Sequence, residues 1–190
     1  MAVKKTPDEV PIYQLKITLS KIRPPIWRRV LVRGDTTLLK LHKIVQAVMP
    51  WEDYHLHQFI VGDECYSIPL PGDPLHGDVK NESRVKLSQI APAEKARFIY
   101  EYDFGDSWVH EILVEKILPP DPALKHPVCA AGKRSSPPED CGGANGYYMF
   151  LSAISDPDHP EHESMLEWVG DFDPERFDME EANRLLSRIK

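Results

Sequence analysis

"RFIYEYDFGDSWVHEILVEKI", residues 97–117, decides how the rest of the chain is read. Apolar and polar residues alternate on both sides of "FGDS", which is the pattern of two half-buried strands joined by a tight turn. Glycine supplies the positive φ that a primed two-residue turn requires, so pairing is expected about Gly105-Asp106. This register places Phe98, Tyr100, Tyr102 and Phe104 on a core face with Val109 and Leu113. It places Ile99, Glu101 and Asp103 on the opposite face, across from Ile112, His110 and Trp108. Glu101 then faces His110 directly, and Asp103 reaches it diagonally. A histidine beside carboxylates can move a proton or bind a metal. The same trio is equally a cross-strand ion pair on a wet face.

Outward from the hairpin, element type follows hydrophobic period. "YQLKITLS" (13–20) and "IWRRVLVR" (26–33) alternate as strands, separated by "IRPP". Leu38, Leu41, Val45 and Val48 recur at helical spacing, with Asp35 or Thr36 as cap and Pro50 as stop. "HLHQFIVGDECYSI" reads as a strand pair about Gly62-Asp63. A polar loop over 69–84 and a short helical turn, "VKLSQI", follow. After the hairpin, 119–146 is rich in proline and glycine and reads as loop. "YYMFLSAISD", a stretch near 160–168 and a segment capped by Asp178 read as helices, and Asp173-Pro174 offers another helix start. The order predicts one α+β domain over 1–190. It has a mixed or antiparallel sheet core (1–118) with a covering helix and a β-grasp-like strand–strand–helix start. The loop (119–146) leads to a C-terminal helical lobe (147–190).

The 190 residues are 42% hydrophobic and 28% charged, enough for one real core. A formal net charge of −7 argues against a protein that coats DNA. Positive charge is local: Arg23, Arg28, Arg29 and Lys43 lie in the first quarter, where they could make a basic stripe for nucleic acid. The C-terminal third is acidic. No apolar run approaches a membrane span, no secretory h-region precedes "PIY", and three cysteines without a CxxC fit a reducing compartment. A cytoplasmic location without membrane contact is expected.

Other candidates are weaker. His55 and His57 in "HLH" would share a strand face and, with His110, Asp103 or a cysteine, could hold zinc or another divalent metal. Cys129 and Cys141 are too widely spaced for a usual zinc or redox pair. "PPEDCGGANGYYMF" looks like a glycine-rich loop entering a helix, where Gly142 and Gly143 amides with Arg134 could hold an anion. It is not a P-loop, and Glu139 and Asp140 would repel phosphate.

Together "YQLKITLSKIRPPIWRRVLV", "TLLKLHKIVQAVMPWEDYHLHQF", "FIYEYDFGDSWVHEI", "HPVCAAGKRSSPPEDCGG" and "FDPERFD" resemble, in order, the plasmid pRiA4b ORF-3-like family, bacterial or archaeal, whose members also travel as passengers of insertion sequences. The resemblance implies a compact α+β fold and no established activity. Some members carry a resolvase label, which these residues do not support: Ser20 is the serine near the arginine-rich strand, and no helix-turn-helix is evident. The expectation is one polar pocket where "HLH", the hairpin tip and the glycine-rich loop meet. Tyr102, Asp103, Asp106, Trp108, His110, Arg134, Glu139, Asp140, Gly142 and Gly143 would line it. Function is then a non-catalytic binding or accessory module of mobile elements, contacting a partner protein or nucleic acid and needing no cofactor. The alternatives are a metal-dependent or acid/base enzyme built on His55, His57, Asp103 and His110, and a structural interaction domain without a ligand.

Overall fold

The computed structural model describes residues 9–69 and 79–189. β1 (Ile12–Leu19) and β2 (Trp27–Arg33) form a hairpin, and α1 (Leu38–Val48) follows. β3 (His57–Val61) and β4 (Glu64–Ser67) pair about Gly62-Asp63, and β5 (Lys80–Asn81) adds a short edge. After the single turn α2 (Leu87–Ile90) come β6 (Arg97–Tyr102), β7 (Trp108–Leu118) and β8 (Val128–Lys133). Three helices close the chain: α3 (Gly143–Ser155), α4 (His162–Val169) and α5 (Met179–Leu186). The sheet runs β5-β4-β3-β6-β7-β1-β2-β8, antiparallel throughout the described residues except for β4 with β5. The expected α+β class and strand–strand–helix opening are both present.

Alternation builds the core. Leu15, Ile17 and Leu19 of central β1 are fully buried, with Val30, Val32, Phe59, Tyr100, Tyr102, Ile112 and Val114 from flanking strands. Leu38, Leu41, Ile44, Val45 and Val48 join the same core from one stripe of α1. Thr37, not Asp35 or Thr36, caps this helix: its Oγ1 accepts the Lys40 N–H at 3.2 Å. Asp178 caps α5 by accepting the Glu181 N–H at 2.9 Å, whereas Asp173-Pro174 starts no helix.

The central hairpin corrects the expected register by one residue. Tyr102 pairs with Trp108, Glu101 with Val109, and Tyr100 with His110. The connection is five residues, Asp103 to Ser107, not a two-residue turn. Asp103 and Ser107 both take left-handed φ, 56° and 53°, and Asp103 Oδ1 accepts the Gly105 N–H at 2.9 Å. The aspartate side chain thus makes the turn that glycine was expected to make. A one-residue slip turns every β7 side chain over. Trp108 and His110 therefore enter the core, Val109 and Leu113 face outward, and Glu101 does not meet His110. Phe104 is exposed on the connection.

Two further expectations change. The segment 119–146 is not all loop, since β8 pairs with β2 as an edge strand. The arginines of "IWRRV" form no stripe, because successive strand residues point to opposite faces. Arg28 is 1% exposed in the core. Arg29, on the outer face, is held by both Glu115 oxygens at 2.5 and 2.9 Å.

Candidate functional site

The three polar segments meet at one end of the sheet. His55 Nε2 lies 3.0 Å from Asp140 Oδ1 and 3.8 Å from Asp103 Oδ2, close but without hydrogen-bond alignment. Asp106 Oδ2 accepts the Gly142 N–H at 3.1 Å. The glycines serve this close packing. A Cβ on Gly143 would stand 2.5 Å from the Asp106 carbonyl oxygen, and one on Gly146 would stand 1.8 Å from that of Cys141. The Gly142 amide expected to hold an anion is therefore committed to Asp106. Arg134 is buried and donates to Glu175 Oε1 and the Pro24 carbonyl, both at 2.8 Å, so these bonds go to residues outside that loop.

Behind this rim lies a buried polar network. Tyr102 donates to Glu139 Oε1 at 2.5 Å and accepts from the Tyr54 N–H at 3.0 Å. Glu139 Oε2 also accepts the Glu52 N–H at 2.7 Å, tying the loop before α3 to the segment after α1. Trp51 stacks on Tyr102 with centroids 5.2 Å apart, meets His110 edge-on at 5.4 Å, and donates to the Pro137 carbonyl at 2.9 Å. His110 donates from Nδ1 to the Trp108 carbonyl at 3.0 Å. Its burial pushes the imidazole pKa down to about 4. Trp108, His110 and Tyr102 are thus buried core side chains.

Sequence reasoning missed the centre of this network. His42 and Gln46 come from the buried stripe of α1, and Glu82 from a 3₁₀ turn inside the segment read as loop. Gln46 donates to the Tyr100 hydroxyl at 2.9 Å, and that hydroxyl lies 2.8 Å from His42 Nδ1. Burial raises the Tyr100 phenol well above its ordinary range, so it keeps its proton and donates it to Nδ1. His42 Nε2 then carries the ring hydrogen toward Asp53 Oδ1, 2.8 Å away. The result is a directed chain, Gln46 to Tyr100 to His42 to Asp53, with a neutral imidazole. Burial, with His57 and Lys43 nearby, pushes the His42 pKa down to about 3. His57 lies parallel to His42, 3.5 Å between centroids and 3° between planes, and bonds the fully buried Glu82 at 2.9 Å.

Metal-ligating atoms cluster twice among the described residues: His42, Asp53 and His57, and His55, Asp103 and Asp140. The expected set His55, His57 and His110 is divided, because β3 begins at His57 and leaves His55 on the preceding bend. The first cluster does not suit one ion. An imidazole lone pair lies in its ring plane, so both planes would have to contain the ion. Stacked, nearly parallel rings with centroids 3.5 Å apart do not aim in-plane lone pairs at one point. The second cluster has no such conflict. Cys65, Cys129 and Cys141 are free thiols; burial pushes Cys141 up to about 12, with Asp106 adding to the effect.

Beside Asp140 a groove of about 430 Å³ opens between α3 and α4. Met149, Phe150, Met165 and Trp168 wall it, with Asp140, Cys141 and Glu161 at its edge. Met149 is 68% exposed and Trp168 50%, and Tyr148 and Leu166 are exposed on the same helical pair. A second cavity of about 300 Å³ lies between α1 and α5.

The chain is similar along most of its length to proteins whose names assign no activity. It is 34% identical over 182 residues to the uncharacterized protein y4hQ of Sinorhizobium fredii, covering 94% of this chain and 92% of that one. A crystal structure of a protein of unknown function, MM3350 from Methanosarcina mazei Go1, matches with a TM-score of 0.81 and 39% identity, over 93% of this chain and 98% of the other. The family model described as plasmid pRiA4b ORF-3-like protein matches residues 11–181, and the chain belongs to that family.

Proposed function

We propose that this protein is a non-catalytic binding module that docks a partner protein in the groove between α3 and α4. The groove carries the reading. Two of its apolar wall residues, Met149 and Trp168, are large and exposed beside the half-buried Met165 and the buried Phe150, which is unusual for a surface with no partner. Tyr100, His42 and His110, which are suited to proton transfer, are instead buried. A role as accessory to plasmids and mobile elements belongs to the same proposal. The test is a photo-crosslinking phenylalanine analogue at Met149 in the native host, with the same analogue at exposed Ala130 on β8 as control. A discrete adduct with another protein from position 149 and not from 130 is expected. Equal, diffuse labelling from both positions would sink the reading.

One observation favours a second reading, a divalent cation at His55, Asp103 and Asp140. Their ligand atoms lie within 4.8 Å of one another beside the groove. Imidazole and two carboxylates suit zinc or manganese. Elemental analysis of untagged protein should then give about one ion per chain, lost on His55→Ala and kept on His110→Leu. Metal-free protein, or metal retained by His55→Ala, would remove this reading.

A further inference from the structure

We infer that the partner segment in the α3–α4 groove is a short, basic, amphipathic helix; this rests on the binding-module reading above. Two observations on the groove combine. The first is shape and chemistry. α3 supplies Gly146, Met149 and Phe150, and α4 with its N-cap residue supplies Glu161, Met165 and Trp168. Both sets follow three- and four-residue spacing, so the trough lies between two helical ridges and accepts a third helix along them. α4 is eight residues long, or about 12 Å, which matches two turns of a docked helix. Phe150 forms the floor, fixed edge-on against Trp168 at 5.9 Å and Phe172 at 5.1 Å. Met149 and Met165 have unbranched side chains that adapt to the shape of an apolar guest.

The second observation is charge. Between residues 135 and 175 the chain has ten aspartates and glutamates and no lysine or arginine. This stretch contains both groove helices. Glu139 and Glu175 are engaged by Tyr102 and Arg134. Asp140 and Glu161 stand at the groove itself, with Glu163 and Glu167 on α4 and Asp156 and Asp158 in the turn before it. An apolar trough with an acidic rim selects a guest with the complementary pattern: two or three apolar anchors on one face and lysines or arginines beside them. An acidic or uncharged guest would meet repulsion or gain no steering. Nucleic acid is disfavoured on this face by the same sign of charge.

The probe is a fluorescein-labelled amphipathic helix of about 15 residues, the length at which isolated helices become populated, with leucines at i, i+3, i+4 and i+7 and lysines elsewhere. Controls are its glutamate counterpart and a scrambled sequence of the same composition. Anisotropy should show saturable binding of the basic helix at low salt, several-fold weaker at high salt. Trp168→Ala should weaken it at least tenfold with unchanged far-UV circular dichroism, since exposed anchors of this kind dominate interfaces. Glu161→Lys should weaken the basic helix and improve the acidic one. In the peptide assay, three outcomes overturn the inference: equal binding of the scrambled or acidic peptide, no effect of Trp168→Ala, or no binding of the basic helix up to about 1 mM. If the basic helix fails while Met149 still crosslinks one protein, the helix assignment falls and the binding-module reading stands. If both fail, both fall. Crosslinking of the chain to itself, with dimerisation lost in Trp168→Ala, would put a second copy in the groove and also overturn the assignment.

Discussion

Arg28 shows how one side chain holds separate elements together. It is buried with no carboxylate partner among the described residues, an arrangement that desolvation penalises, and burial pulls its pKa down to about 10. Its compensation comes from carbonyls and an aromatic face. Nε donates to Val48 O at 2.8 Å, Nη1 to Trp27 O at 2.9 Å and Lys133 O at 3.0 Å, and Nη2 to Ser136 Oγ at 3.1 Å. Val48 is the last residue of α1, where unpaired carbonyls and the helix dipole favour a cation. Phe177 covers the guanidinium at 3.9 Å. One planar fork thus joins α1, β2, β8 and the segment before α5. Lysine has three donors on one atom and cannot reach all four acceptors. Arg28→Met and Arg28→Lys should each destabilise the fold by about 3–5 kcal/mol, because buried carbonyls lose their donors. Urea denaturation would check this; a loss below about 1 kcal/mol for Arg28→Met would contradict the account.

At the level of elements, period was legible and register was not. β1, β2, α1, the β3–β4 pair and the β6–β7 hairpin all announce themselves through alternation or helical spacing. The hairpin's register depended on one loop. "GD" suggested a two-residue primed turn, but the Asp103 side chain bonds the Gly105 amide and lengthens the connection to five residues. That single difference moved His110 from a wet face into the core and dissolved the expected Glu101–His110 pair. β8 was hidden for another reason. An edge strand needs hydrogen bonds on one side only, and "VCAAGK" buries little besides Cys129, so proline and glycine on either side dominated the reading. The convergence of "HLH", the hairpin tip and the glycine-rich loop was legible because each segment carried polar residues that neither core nor turn required. His42, Gln46 and Glu82 gave no such signal. Each looks like an ordinary helix or loop residue until the fold brings it beside Tyr100 or His57. The α3–α4 groove could have been suspected from Met149, Met165 and Trp168 lying within an acidic stretch, a signal passed over because each segment read simply as a helix.

For the whole molecule, the buried histidines set how stability responds to pH. His42 and His110 have folded pKa values of about 3 and about 4, both lowered chiefly by burial. The unfolded value is about 6.5. Between the folded and unfolded values the unfolded chain binds protons that the folded chain refuses, so stability rises with pH across this window. Acidification from about pH 6.5 toward 4 therefore removes stability, at a limit of about 1.4 kcal/mol per pH unit for each histidine. The surroundings divide on this. Asp53, beside His42, has its carboxyl raised by partial burial, which opposes the trend in the acid range. Glu115, held low by Arg29, reinforces it once carboxylates begin to protonate. Tyr100, which faces both histidines, keeps its proton throughout and adds no slope. The urea midpoint should accordingly be nearly flat above about pH 7 and fall steadily from about 6.5 to 4.5. His110→Leu removes one of the two refused protons while leaving the Tyr100–His42–Asp53 chain in place. It should reduce the slope near pH 5 by about half, whatever it does to the absolute midpoint. A midpoint independent of pH between 5 and 6.5 would show that these imidazoles take up protons in the folded state, and the neutral, directed network would have to be given up; an unchanged slope in His110→Leu would show the same of His110 alone.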